Sequence, residues 1–351
     1  MSRFFRTVSQ FFASSSLKPS QLAVDWGHSR IRVVKNGQLV FNQPSCYLED
    51  DKTGAVLSLG QEAWQMSGRT PPDTSLVFPV KQGSVYDLEQ GAAFIRGLWR
   101  KLKLAPRLPG INRSRVLLAV PNQAAELDKK LWAQVFSEAG VDQIRFVAKG
   151  EALIRSLPAA YQQGCNLLLL DVGAELTELT LCIGGEAVGL FTIGWGGRQL
   201  SSQIQQKLLT EHQLKVSGRS ARQLKHQLSS GWLEAAGKGE VSADNPAGLR
   251  VNVRGVDAAN NLVLTKTIEQ RALYPLMVEW GEQLVKEIKL VFTQLEPEML
   301  VEAFDNGCFI AGGSCQLSGL EQFLAKELKT EVISAQDLVL AVVNGLIADF
   351  E

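Results

Sequence analysis

The chain has 351 residues, longer than one typical domain, and its 45% apolar content is ample for a large core, so two domains are the starting expectation. Lysine plus arginine equals aspartate plus glutamate at 36 each, so no global field draws nucleic acid. Five scattered cysteines without a CxxC pair and three histidines without HExxH argue against a disulfide framework and a zinc site, and fit a reducing compartment. The longest purely apolar runs, such as Leu167 to Leu170, are strand-sized, so any membrane contact is peripheral.

"MSRFFRTVSQFF" sets Phe4, Phe5, Val8, Phe11 and Phe12 on one arc of a helix, with Arg3, Arg6, Ser9 and Gln10 opposite. That pattern reads as a short amphipathic helix lying in an anionic membrane interface, with "ASSSLKPS" as its tether. Two alternatives stay open: packing of the stripe on the protein's own core, and a transit peptide, since the segment is Arg-rich, Ser-rich and free of acids.

"QLAVDWGHSRIRVVKNGQLVF" reads as a strand ending in Asp25, a tight turn at Trp26 to Ser29, a second strand, an Asn36-Gly37 hairpin turn and a third strand. "CNLLLLDVGAELTELTLCIGGEAVGLFTIG" repeats the plan with Asp171, a turn at Val172 to Leu176 and a Gly184-Gly185 turn. A duplicated strand-turn-strand unit in an otherwise helical chain points to two similar α/β halves facing each other across a cleft. An aspartate at each strand end suits a hydrated Mg²⁺, and the glycines two residues on, Gly27 and Gly173, let backbone N–H groups approach phosphate oxygens. Late in the chain, "CFIAGGSCQLSGLEQFLAKEL" gives a buried strand, the pair Gly312-Gly313 and a helix from about Gly319; such a pair suits a flat ring against the backbone, or is a plain strand-to-helix loop. Met277, Trp280, Leu284, Ile288, Val291 and Leu295 keep helical spacing and read as core.

These residues carry a resemblance to the actin-like ATPases and, among them, to the MreB-like proteins. "AVDWGHSRIRVVKNGQLVFNQPS" resembles the family's opening D-L-G-T hairpin and N-E-P-S segment, and "LGQEAWQMSGRTPPDTSLVFPVKQGSVYDLE" its G-x-E-A, G-R-T-P and K-x-G-V-I-x-D stretch. "TIGWGGRQLSSQIQQKL", "VSGRSARQLKHQL", "AGGSCQLSGL" and "DLVLAVVNG" resemble later family motifs, so the similarity spans nearly the whole chain. It implies an actin-like fold of two similar domains, each a mixed β-sheet flanked by helices, with a nucleotide cleft between them. The expected division is a membrane segment and tether at 1–19, domain I at 20–160 plus a terminal helix from about 335, and domain II at 161–334 with a small subdomain near 198–265.

The resemblance implies ATP and Mg²⁺ as ligands, with Asp25, Gly27, His28, Gly173, Lys225, Gly312 and Gly313 at the nucleotide and Asp25 and Asp171 holding the metal through water. Four departures touch that site. His28 stands where a threonine hydroxyl is usual, and D-I-G-G-G-T becomes "DVGAEL", where Ala174 takes a place that favours positive φ and Glu175 sets a carboxylate toward the phosphates. Lys149-Gly150 replaces the glutamate and proline that position the attacking water, leaving Asp171 and a displaced Glu151 as the candidate catalytic groups. Gly218 replaces a glutamate near the adenine, although Lys225 remains. The framework glycines, Gly345 included, survive while γ-phosphate groups are eroded. The expected protein is a cytoplasmic scaffold, peripheral at the inner face of the cell membrane. It assembles into filaments, with nucleotide binding and weak or lost hydrolysis, and has self-association, anionic membrane and membrane-embedded morphogenesis proteins as partners. An active ATPase or small-molecule kinase of the superfamily, and a non-polymerising adaptor, are the competing readings.

Overall fold

The computed structural model describes residues 20–350 except 105–113, 142, 162–163, 228 and 230–249. The amphipathic stretch with Phe4, Phe5, Val8, Phe11 and Phe12 lies outside the described residues.

The first sheet is built from β1 (Gln21–Trp26), β2 (Arg30–Lys35), β3 (Gln38–Pro44), β4 (Arg115–Val120) and β5 (Gln143–Ala148), in the order β5-β4-β1-β2-β3. The second is built from β6 (Leu167–Val172), β7 (Thr177–Ile183), β8 (Glu186–Ile193), β9 (Cys308–Ala311) and β10 (Val332–Ser334), in the order β10-β9-β6-β7-β8. The two orders are the same: a three-stranded antiparallel meander whose first strand also pairs in parallel with a later strand. Register repeats too, since Asp25 lies beside Ala119 of β4 and Asp171 beside Ala311 of β9.

Local chemistry fixes these units. Asn36 and Gly37 both take positive φ (49° and 80°), as do Gly184 and Gly185 (63° and 85°), the geometry that matches the twist of a two-residue hairpin. In β6 the alternation of a strand sends Leu168, Leu170 and Val172 into one core and Leu167 and Leu169 into another, so a run of four leucines is buried on both faces. Each fully buried leucine is worth about 1.5–3 kcal/mol.

Helices cover both sheets. α1 (Leu88–Lys101) and α2 (Glu126–Glu138) supply Phe94, Trp99, Trp132 and Phe136 to the first core, with Trp26 stacked on Phe94 at 5.0 Å. α3 (Lys149–Arg155) follows β5 directly, and α4 (Gly197–His212) and α5 (Gly218–Gln227) follow the second meander. α6 (Tyr274–Phe292) buries Met277, Trp280, Leu284, Ile288 and Val291 of the expected stripe in the second core, Leu295 lies past its end and is partly buried against that core, and α7 (Leu320–Leu328) brings Phe323. At the end of the expected small subdomain near 198–265 and just beyond it, Arg250–Asp257 and Val263–Glu269 form an antiparallel hairpin flanked by Leu214–Lys215.

The terminal helix α8 (Ala341–Ile347) starts later than the 335 expected. Asp337 Oδ1 accepts the backbone N–H groups of Val339 and Leu340 at 2.9 and 3.0 Å, and that turn holds the chain out of helix until Ala341. α8 packs against α3 and the first sheet, where Val342, Val343 and Leu346 join Ala23, Leu117 and Ala152. The approach is close enough that a Cβ at Gly345 would overlap the Ala152 carbonyl. Gly345→Val should therefore lower stability by about 1–3 kcal/mol in urea unfolding, while Gly54→Val, which meets open space, keeps its cost to its positive φ.

Candidate functional site

The two meanders present their Asp turns to one another across a cavity of about 650 Å³. Its walls include Asp25, Gly27, His28, Lys149, Asp171, Gly173, Lys225, Gly312 and Gly313, so the structure brings together nearly every residue singled out from sequence. The volume is that of a small-molecule site. Glu151 is the exception. It is not among the cavity-lining residues, because α3 begins at Lys149 and two residues of helix turn the side chain roughly 200° away.

At the centre, Lys149 projects its ammonium between the two aspartates, with Nζ 3.5 Å from Asp25 Oδ1 and 3.7 Å from Asp171 Oδ2. Asp25 is ion-paired a second time, to Arg32, its partner in the β1–β2 register. Burial works against charge on Lys149, but the carboxylates of Asp25 and Asp171 outweigh it and hold the lysine above its ordinary range. Burial likewise works against charge on Asp25, yet Lys149 and Arg32 hold its carboxyl below the usual carboxylate range. For Asp171 burial prevails over Lys149 and raises it. The position expected for Mg²⁺ between the aspartates is thus filled by an ammonium, and the carboxylates do not fit the ion as metal ligands.

Glu175 also departs from expectation. Its carboxylate does not face the cavity as a free charge: it is buried, ion-paired to Arg198, 3.4 Å from His28 Nδ1, and accepts the Gln82 N–H at 2.7 Å. The repulsion expected for a phosphate is therefore largely neutralised. His28 Nδ1 donates to the Val80 carbonyl at 2.7 Å and its ring stacks on Phe78, and burial lowers its proton affinity. Ala174 is not among the residues of positive φ, so the turn accepts an alanine without backbone strain. Gly312 does need its glycine: φ is 99°, and a Cβ there would run into Asp171 and the Val172 carbonyl.

Further contacts tie the halves together. Asn122, just after β4, donates its backbone N–H to Glu178 at 2.9 Å and its amide to Thr180 Oγ1 and the carbonyls of Leu179 and Phe191, and accepts the Gly150 N–H at 2.8 Å. Burial pushes Glu178 up to about 7 despite Lys149 nearby.

On the other wall Lys225 donates to the Gly197 carbonyl at 2.8 Å, and Ser314 and Gly197 both bond Gly173. Arg30 and Arg222 add positive charge, and no carboxylate lies within ion-pair distance of either among the described residues. Sequence reading missed Arg30, Arg32, Arg198, Arg222 and Asn122. Only Arg32 had a readable signal, its place opposite Asp25 across the Trp26–Ser29 turn.

Burial, reinforced by Arg222, lowers Lys225 to about 7, from 10.5. Between those values the unfolded chain binds a proton that the folded one lacks, so stability should rise with pH. From about pH 7 up to the thiol range near 9, the slope should approach about 1.4 kcal/mol per pH unit, and Lys225→Met should flatten it in urea titrations.

The sequence model of the MreB/Mbl protein family matches residues 19–351. Among curated proteins, the cell shape-determining protein Mbl of Bacillus subtilis (strain 168) is 24% identical over 333 residues, covering 93% of this chain and 95% of Mbl. The cell shape-determining protein MreB of Escherichia coli (strain K12) is 21% identical over 335 residues, covering 93% and 92%. Among solved structures, MreB5 of Spiroplasma citri bound to ADP superposes with a TM-score of 0.81 at 18% identity, covering 94% of this chain and 95% of that one. A MamK double helical filament gives 0.72 at 17% identity, covering 95% and 99%. The fold is therefore actin-like, and with its family's sequence model matched over nearly the whole length, the chain belongs to the MreB/Mbl protein family.

Proposed function

We propose that this protein is a filament-forming scaffold for cell shape or spatial organisation, held at the inner face of the cell membrane by residues 1–19. The observation that carries this reading is the family match over residues 19–351 on a fold with two matching sheets around a cleft. Self-association is favoured by the filament formed by the structural neighbour MamK, and nucleotide binding by the ADP and AMPPNP bound to MreB5. In this reading residues 20–160 with 335–351 form domain I and 161–334 domain II, and Gly27, His28, Gly173, Lys225, Gly312 and Gly313 contact the nucleotide. Arg30 and Arg222 supply positive charge for its phosphates, and Lys225 lies beside them.

Turnover is slow or absent. Hydrolysis needs a base that takes a proton from water, and the residue at that place, Lys149, is charged and enclosed by carboxylates. The nucleotide then acts as a structural element. Membrane attachment is peripheral, since no described helix is long and apolar enough to cross a bilayer and the residue 4–12 pattern suits an interface. Membrane-embedded morphogenesis proteins are the further partners this role implies.

Sedimentation and negative-stain microscopy with anionic liposomes test the scaffold. The full chain should form filaments and co-pellet with vesicles, and removing residues 1–13 should cut vesicle binding by about tenfold or more while filaments persist. A monomer at high concentration would favour the adaptor reading, and undiminished vesicle binding after truncation would remove the membrane anchor. Phosphate release should stay near the buffer rate; robust release abolished by Asp171→Ala would point to an active enzyme.

A further inference from the structure

We infer that Lys149 is the resident cation of this cleft: its ammonium takes the place of a divalent metal between Asp25 and Asp171, so the site takes nucleotide phosphates without a metal ion. The inference rests on the nucleotide reading above for its ligand and on geometry for its cation. Lys149 leaves β5 at the first residue of α3, and the Asn122 bond to Gly150 N–H fixes that helix start directly beneath the aspartates. The Lys149 side chain is only 18% exposed, and its ammonium sits 3.5 and 3.7 Å from carboxylate oxygens of the two sheets.

Charge counting decides against a shared site. Asp25 and Asp171 together carry two negative charges, and Lys149 and Arg32 bring two positive ones into the same buried volume. Without a nucleotide's phosphates, a divalent ion added there would leave two positive charges without counterions at low dielectric. A Mg²⁺ held through water also needs room for its octahedral hydration shell between these carboxylates, and the Lys149 ammonium, 3.5 and 3.7 Å from their oxygens, holds that space.

The phosphates need cationic partners that the metal would otherwise supply, and these are built into the walls. Arg30 and Arg222 line the cavity with no carboxylate at ion-pair distance among the described residues, and Lys225 lies beside them. Guanidinium groups bind phosphate oxygens in paired, directional contacts, so a nucleoside diphosphate can be held by side chains alone.

The test is calorimetric titration of ADP into the full chain in excess EDTA and in excess Mg²⁺, together with Mn²⁺ binding followed by electron paramagnetic resonance without nucleotide. The two ADP affinities should agree within about threefold, and the wild-type protein should leave Mn²⁺ free. Lys149→Gln, which uncovers both carboxylates, should capture one Mn²⁺ and lose about tenfold or more of its ADP affinity on chelation. A wild-type affinity that falls about tenfold or more in EDTA, or a wild-type Mn²⁺ site abolished by Asp171→Asn, overturns the inference without any need for the lysine variant to fold. ADP binding in neither buffer removes the nucleotide reading instead, and the Mn²⁺ arm then still decides whether lysine holds the cation position.

Discussion

The ammonium of Lys149, set between an aspartate from each sheet, is the interaction on which the cleft depends. The two meanders end in buried carboxylates that face each other, and two like charges buried together cannot stay ionised and close without a cation between them. In this chain the cation is covalently part of α3. Its position cannot be lost by dilution or chelation, and the two halves meet across it. The Asn122 network and the Glu175 cluster reinforce the same junction from either side, each by a residue of one half reaching backbone or side-chain partners in the other.

Glu175 illustrates how a sequence change changes meaning in three dimensions. Read along the chain, a carboxylate in a phosphate turn is repulsive. In the fold it lies between Arg198, His28 and the Gln82 N–H, so the turn is held to the opposite half by protein groups. The ligand loses an adversary and the cleft gains a brace. The departures at residues 28, 149 and 175 all lie at the junction between the two halves, where each side chain meets a charged partner.

Much of the architecture was legible in sequence because its determinants are local. Strand alternation, the Asn36-Gly37 and Gly184-Gly185 turns and the repeated Asp-x-Gly ends each depend on neighbours a few residues away, and together they gave both meanders and their facing aspartates. The α6 stripe followed from helical spacing alone. The start of α8 was misplaced because Asp337 bonds backbone groups ahead of it, a competition that hydrophobic periodicity does not register. The site was legible as a set of positions and opaque as a set of pairings. That Lys149 could not act as a base was readable from its chemistry; that it lies between two carboxylates depends on two sheets brought together across the chain. Arg222 and Asn122 belong to no local pattern, and only the closed cleft gives Asn122 its partners and leaves Arg222 without a carboxylate at ion-pair distance among the described residues.

The measurement that bears most directly on this account is the spacing of the two halves with and without nucleotide. Spin labels at Leu57→Cys and Leu262→Cys, both exposed, can report it by pulsed dipolar spectroscopy, since the five native cysteines are buried and resist labelling. With Lys149 holding the junction, the wild-type distance distribution should shift by less than about 2 Å on adding ADP and Mg²⁺, whereas Lys149→Gln should widen until nucleotide and metal are supplied. A wild-type protein that is open alone and closes by several ångströms only when Mg²⁺ and nucleotide are added together would contradict the account.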